Sequence, residues 1–360
     1  MMKGILKIGV LAIMLVSLLL GGCISEPLLP YSLDTPPLVL SPAELANVED
    51  GRGRFREIYC AVQKDHGAGL PYDRPCEDVI LRLGGEPEPT GNPVFFGPPK
   101  LKLRVLIVPG IFNDCIKFSS AYTYAAAHLE LLGYRAEGIA VSGRSSSTYN
   151  ALELRNEILG KELSPGERIV LVGYSKGAAD ILEAVSDYPE IRQKVAAVVS
   201  VAGTVNGSPL ADQIGKPFQE LINKISLLPC PPGVGDPIES LKRSTRLQWL
   251  SRNPLPESIK FFSLAAFAGR DEISGILQSF YDQLAMIDPR NDSQVIFYDA
   301  IIPGSTLLGF VKADHWAVAM PFSRDAPQLS HAVIDKNEFP REVLLEAIIR
   351  FVEEKLLASD

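Results

Sequence analysis

The stretch Glu167 to Val185, ERIVLVGYSKGAADILEAV, carries three structural signals in nineteen residues. Ile169 to Val172 is an apolar, mostly β-branched run that reads as a buried strand. Ala178, Ala179, Ile181, Leu182 and Val185 recur at the spacing of an amphipathic helix. Between them stands Gly173-Tyr174-Ser175-Lys176-Gly177, a G-x-S-x-G turn. Three fixed positions alone are a weak signal; the strand before and the helix after make the turn specific. In such an elbow the serine hydroxyl is pushed out above the sheet. Glycine two residues either side leaves room where a β-carbon would clash. The following helix points its free N–H groups at the place where an oxyanion would develop. Ser175 is the candidate nucleophile. The alternative is a serine in an ordinary strand-to-helix turn.

The same rhythm extends in both directions. Leu103 to Val108 (LRVLIV) is a strand ending in Pro109-Gly110-Ile111-Phe112. A fixed amide after such a strand can donate to an oxyanion, so the amides of Ile111 and Lys176 form the candidate oxyanion hole. Phe118 to Leu132 reads as a helix in which His128 is structural. Arg135 to Val141 is a strand, and Ser142 to Ser147 a hydroxyl-rich loop capping the helix Asn150–Leu159. Val195 to Ala202 and Phe261 to Ala268 are further apolar strands, and Glu272 to Met286 is a helix. Val295 to Asp299 is a short strand or turn, and Leu307 to Val311 a final strand. Pro340 opens a last helix with Val343, Leu344, Ala347, Ile348, Phe351 and Val352 on one face. Strands alternating with helices imply an α/β fold with a mostly parallel sheet covered on both faces. Ligands in such sheets bind at the carboxyl ends of the strands, where Ser175 stands. Residues 203–258, rich in Pro and Gly, break the rhythm as an insertion that either overhangs the site or is a surface excursion.

A serine hydroxyl needs a base, and the base an orienting carboxylate. Two histidines follow Ser175: His315, in Ala313-Asp314-His315-Trp316 just after the final strand, and His331, in a polar stretch beyond it. The loop position favours His315. For the acid, Asp271 directly follows a strand, Asp292 lies nearer His315, and Asp288 and Asp299 remain open.

Gly173 to Gly177, Ala202-Gly203-Thr204 with Gly207-Ser208-Pro209-Leu210-Ala211-Asp212, Asn291-Asp292 and Asp314-His315 together resemble the bacterial triacylglycerol lipases and related esterases. The resemblance spans roughly residues 100–320. It differs at Pro109-Gly110, where the family has His-Gly, at Val205-Asn206, where a histidine is common, and at Lys176. In that family an Asn-Asp pair carries the acid about two dozen residues before the histidine, which implies Asp292. The resemblance further implies an α/β-hydrolase fold over 100–358 and a serine hydrolase acting on carboxylic esters through an acyl-enzyme. The same machinery serves amidases, thioesterases, polyester depolymerases and acyltransferases. From another class, the chain reads as a surface lipoprotein that keeps the fold without catalysis.

Composition bounds the partners. The 360 residues are 46% hydrophobic and carry a formal charge of −8, an acidic balance that argues against nucleic acid. Neither a zinc-type Cys/His spacing nor a calcium loop is visible, and the expected chemistry needs no cofactor; the expected partner is a small-molecule or lipid ester. Residues 1–22, with Lys3, Lys7 and an apolar run from Ile8 to Leu20, read as a signal peptide. Leu20-Gly21-Gly22-Cys23 resembles a bacterial lipobox, implying lipidation of Cys23, a membrane anchor and a place in the cell envelope outside the cytoplasm. Residues 23–42 hold five prolines and read as a tether. Residues 43–99 read as a helical segment in two pieces, Pro42 to Leu83, plus a Pro-rich linker. In it, His66 reads as solvated. Four cysteines remain, and in an exported chain they allow three disulfide pairings. The turn-rich segment between Cys60 and Cys76 suggests a staple there, leaving Cys115 with Cys230; four free thiols are the alternative.

Overall fold

The computed structural model describes residues 47–116, 118–213 and 231–358. The proposed signal peptide, the tether, Cys23 and Cys230 lie outside the described residues. In chain order the elements are β1 (Glu49–Asp50), α1 (Arg52–His66), α2 (Cys76–Val79), β2 (Ile80–Leu81), β3 (Leu103–Val108), α3 (Thr123–Leu131) and β4 (Arg135–Gly138). There follow α4 (Ser147–Gly160), β5 (Arg168–Tyr174), α5 (Lys176–Asp187), β6 (Val195–Val201), α6 (Pro209–Gln213), α7 (Arg243–Arg252) and β7 (Lys260–Ala266). The chain ends with α8 (Gln278–Ala285), β8 (Thr306–Val311), α9 (Phe322–Asp325), α10 (Pro327–Val333) and α11 (Arg341–Leu357).

One eight-stranded sheet runs β1-β8-β7-β6-β5-β3-β4, with β2 paired to β8. Every pairing is parallel except β2 with β8. The strands alternate between two cores, as period-two geometry requires. From β5, Val170, Val172 and Tyr174 face one core while Ile169 and Leu171 face the other. The first core is filled by α1, α3 and α11, the second by α4 and α5. Because both faces are covered, the central strands read as unbroken apolar runs.

The amino-terminal part departs from its expected form. Its first helical piece is α1, but the second is a single turn, α2, running straight into β2. Ile80 pairs with Val311 and Leu81 with Phe310. The apolar run Val79-Ile80-Leu81 fits helix or strand equally by pattern, and the backbone groups open on the β8 edge select strand. Glu49 and Asp50 add to β8 in parallel. Residues 47–101 therefore belong to the sheet and to the cover over α11. That cover explains why α11 is buried nearly all round, rather than on the one face its apolar residues mark. Its charged side is paired beneath the amino-terminal part: Arg54 with Glu354, and the amides of Lys100 and Leu101 with Glu353. His66 is half-buried and bonded to Glu346, not solvated. Glu272 to Met286, expected as one helix, is two short 3-10 turns followed by α8. Cys60 and Cys76 form the expected disulfide, tying α1 to α2. Cys115 is buried; its expected partner Cys230 lies outside the described residues.

Candidate active site

The elbow is built by close approach of backbone. Ser175 adopts φ 56°, ψ −127° between β5 and α5, a conformation that costs a non-glycine residue on the order of 1–3 kcal/mol and needs the surroundings to enforce it. A β-carbon on Gly173 would lie 2.6 Å from the Ala178 Cα, and one on Gly177 only 2.2 Å from the Val108 carbonyl oxygen. The two glycines thus let α5 turn back tightly over β5 and against the end of β3. Gly110, just past β3, sits so close that a β-carbon there would be 2.8 Å from the Ser175 Cβ.

His315 comes to this point from the loop after β8. Its Nε2 is 2.8 Å from the Ser175 Oγ, and its Nδ1 is 2.8 Å from the Asp292 Oδ2. All three residues are buried. A carboxylate oxygen only accepts, so Nδ1 carries the hydrogen toward Asp292 and Nε2 is left to accept from the serine hydroxyl. The ring is fixed further: its backbone N–H donates to the Asp292 carbonyl, and Tyr174 packs its ring beside it while donating its hydroxyl to the His315 carbonyl. Asp292 is fixed in turn. Its Oδ1 accepts the amides of Gln294 and Val295, and Asn291 bridges back to Ile296. The neighbouring Asp314 is spent on structure: its carboxylate accepts from the amides of Ser274 and Ala317 and pins the loop that presents His315. Burial pushes its carboxyl up from the ordinary range.

The remaining sequence candidates are elsewhere. Asp271 is exposed in the turn Arg270–Glu272, and His331 is exposed on α10. Asp288 is held by Arg290, and Asp299 by Arg243. Lys176 is the first residue of α5, so its N–H has no intrahelical acceptor. Its side chain is buried, with the ammonium 2.7 Å from Asp180 one turn along. Asp180 also accepts from Asn150, whose amide reaches the Ser142 carbonyl. The Lys176–Asp180 spacing of four was visible in the sequence; its burial was not. Ile111 packs its side chain against Ala211, Ile238 and Leu241 of the insertion. The insertion is tied down beside it. The Val234 amide donates to the Ser145 hydroxyl, the Ser147 amide donates to the Ser240 hydroxyl, and Arg246 is buried against Glu183. The Ser146 side chain caps α4, as the loop's composition suggested.

No protein-family model and no curated protein sequence matches the chain. Solved structures do. A metagenomic carboxyl esterase, MGS0156, is 47% identical, with a TM-score of 0.85, over 89% of this chain and 97% of that one. The mature form of the lipase BlEst2 from Bacillus licheniformis, 24% identical with a TM-score of 0.50, covers 67% of this chain and 93% of its own, a likeness of fold alone. An eight-stranded, mostly parallel sheet with a serine on a strained strand-to-helix turn, and nearly half its residues shared along almost the whole length of that esterase, leave one placement: the chain belongs to the α/β-hydrolase superfamily, in the carboxyl esterase family.

Proposed function

We propose that the protein hydrolyses carboxylic esters through an acyl-enzyme on Ser175, with His315 as base and acid and Asp292 as the group that orients the ring. The observation supporting this reading is the unbroken run of two 2.8 Å hydrogen bonds from Asp292 through His315 to Ser175. The Ser175 hydroxyl passes its proton to Nε2 as Oγ bonds to the ester carbonyl carbon. The carbonyl oxygen gains the charge, and the amides of Ile111 and Lys176 stabilise it. Asp292 stabilises the charged imidazole. Collapse breaks the bond to the alcohol, which leaves with the proton from Nε2. Water, deprotonated by the same nitrogen, then attacks the acyl carbon, and the carboxylic acid and free serine are released. The structure of the closely similar carboxyl esterase supports an ester as the substrate.

The test is labelling with a fluorophosphonate probe and turnover of p-nitrophenyl esters of rising chain length. Ser175→Ala abolishes labelling, and Asp292→Asn lowers kcat by about 10⁴-fold while the protein stays folded. Full labelling of the alanine variant, or an unimpaired Asp292→Asn, refutes the assignment. Activity beyond about ten acyl carbons marks a lipase, and activity confined to short chains an esterase. For the residues outside the described structure, we propose that Cys23 carries lipid and holds the enzyme at the cell envelope. Cys23→Ser then moves the activity from the membrane fraction to the soluble one.

A further inference from the structure

Away from Ser175, three side chains brought together from the whole length of the chain make a second constellation. His66 ends α1, His128 lies in α3, and Glu346 lies in α11; none of these helices carries Ser175, His315 or Asp292. The His66 Nδ1 and the His128 Nε2 meet the same oxygen of Glu346, Oε2, at 2.9 and 2.7 Å. The three donor atoms all lie within 4.8 Å of one another. Glu346 is fully buried, while the two imidazoles remain partly open to solvent.

Both ring nitrogens of His66 face carboxylates. Its Nδ1 faces Glu346, and its Nε2 faces Asp65 at 3.1 Å. A neutral imidazole has one N–H and one lone pair, so one of these nitrogens turns a lone pair on a carboxylate unless the ring is charged. A cation on Nδ1 meets this arrangement, as a second ring proton does. Nε2–H then points toward Asp65, whose Oδ2 at 3.1 Å needs only a small side-chain rotation to give the carboxylate–histidine–metal arrangement that fixes ring orientation in metal sites. Glu346 is prepared for the same role. Its carboxylate faces His128, His66 and Arg350 together. Arg350 donates to Oε1 at 2.7 Å, the His66 Nδ1 stands 2.9 Å from both oxygens, and Oε2 lies between the imidazoles.

We propose that His66, His128 and Glu346 bind a zinc ion, with Asp65 orienting His66 and water in the fourth position. Two imidazoles and one carboxylate suit Zn²⁺ and disfavour Mg²⁺ or Ca²⁺, which take all-oxygen shells. Ligand atoms around a tetrahedral Zn²⁺ stand about 3.3 Å apart, so the atoms facing each other at 2.7–2.9 Å need only separate slightly. The sequence hides the site: His66 and Glu346 are 280 residues apart, with no short spacing to read. The ion clasps α11 to α1 and α3, and its role is to lock the amino-terminal cover onto the hydrolase core.

The experiment takes the full-length protein, stripped with chelator and dialysed, and titrates it with Zn²⁺ by calorimetry and by thermal unfolding. The expected result is one Zn²⁺ per chain and a Tm raised by about 5 °C at a hundredfold excess over Kd. Asp65→Asn, an exposed position that leaves all three ligands in place, weakens Kd by about 10–100-fold. His66→Ala and His128→Gln abolish the binding and the Tm shift, and turnover of a short p-nitrophenyl ester by metal-free His66→Ala equals that of the metal-free parent. Absence of stoichiometric binding to the parent overturns the proposal. So does binding that survives intact in both histidine variants, since the ion would then sit elsewhere.

Discussion

Two of the glycines packed around Ser175, Gly177 and Gly110, have different consequences when filled. At Gly177 a methyl group meets the carbonyl oxygens of Val108 and Pro109 at 2.2 and 2.6 Å. Both belong to a strand end that cannot swing aside, so Gly177→Ala destabilises the fold by about 1–3 kcal/mol, seen as a lower urea midpoint. At Gly110 the methyl meets the serine side chain itself, 2.8 Å from Cβ and 3.2 Å from Oγ. Gly110→Ala therefore lowers kcat toward p-nitrophenyl esters by at least tenfold, because a small displacement of the proposed nucleophile is amplified in rate. Its midpoint shifts less than that of Gly177→Ala. Equal midpoint losses with unchanged kcat would contradict this division. The serine and the histidine were legible as single residues because each sits beside a strong strand signal. The carboxylate was not: Asp271 also follows a strand, and only the family resemblance favoured Asp292. What separates them is the return of Asn291–Ile296 toward His315, a tertiary event with no periodicity to betray it.

At the scale of elements, α11 shows how a helix can be legible in extent but not in environment. Its apolar positions mark one buried face, yet fourteen of its residues are buried because α1 and the chain down to Leu101 lie over the other. In the fold the charges on that face are the fasteners: Arg54 to Glu354, and Lys100 and Leu101 amides to Glu353. The disulfide from Cys60 to Cys76 fastens the same cover, closing a loop with a sequence separation of 16. Loops of that size are worth about 3 kcal/mol on chain entropy. The Cys60→Ala, Cys76→Ala double variant therefore unfolds at lower urea. Its residual activity at low urea matches the parent, because no active-site element is held by that bond. A variant as stable as the parent would show that the fold holds α1 and α2 without the bond. The strand β2 escaped the sequence reading for the opposite reason. Two residues are too few to show alternation, and their pairing with Phe310 and Val311 is decided by the open edge they meet.

For the molecule as a whole, the parallel sheet was readable. The way the insertion joins the sheet was not, because it depends on buried charges rather than on pattern. Two arginines from the insertion reach the core: Arg246 meets Glu183 at 2.6 Å, and Arg243 meets Asp299 at 3.0 Å. Asp299 also anchors the root of the insertion through its backbone, whose carbonyl accepts the Asn206 amide. Burial pushes the Asp299 carboxyl up to about 7, against the pull of Arg243 and with a small push from Asp212. The sign of the resulting pH dependence follows from proton counting. Between about pH 4 and pH 7 the unfolded chain has released this proton and the folded protein still holds it. Stability contributed by this group is thus full at low pH, declines as pH rises through that window, and is flat above it. Asp299→Asn has no proton to lose. Unfolding midpoints from pH 4.5 to 8 should fall more steeply for the parent than for Asp299→Asn, the two curves converging in slope above pH 7.5. Parallel curves throughout would mean that Asp299 is ionised in the folded protein at every pH, with Arg243 outweighing burial. The root of the insertion would then be a plain ion pair.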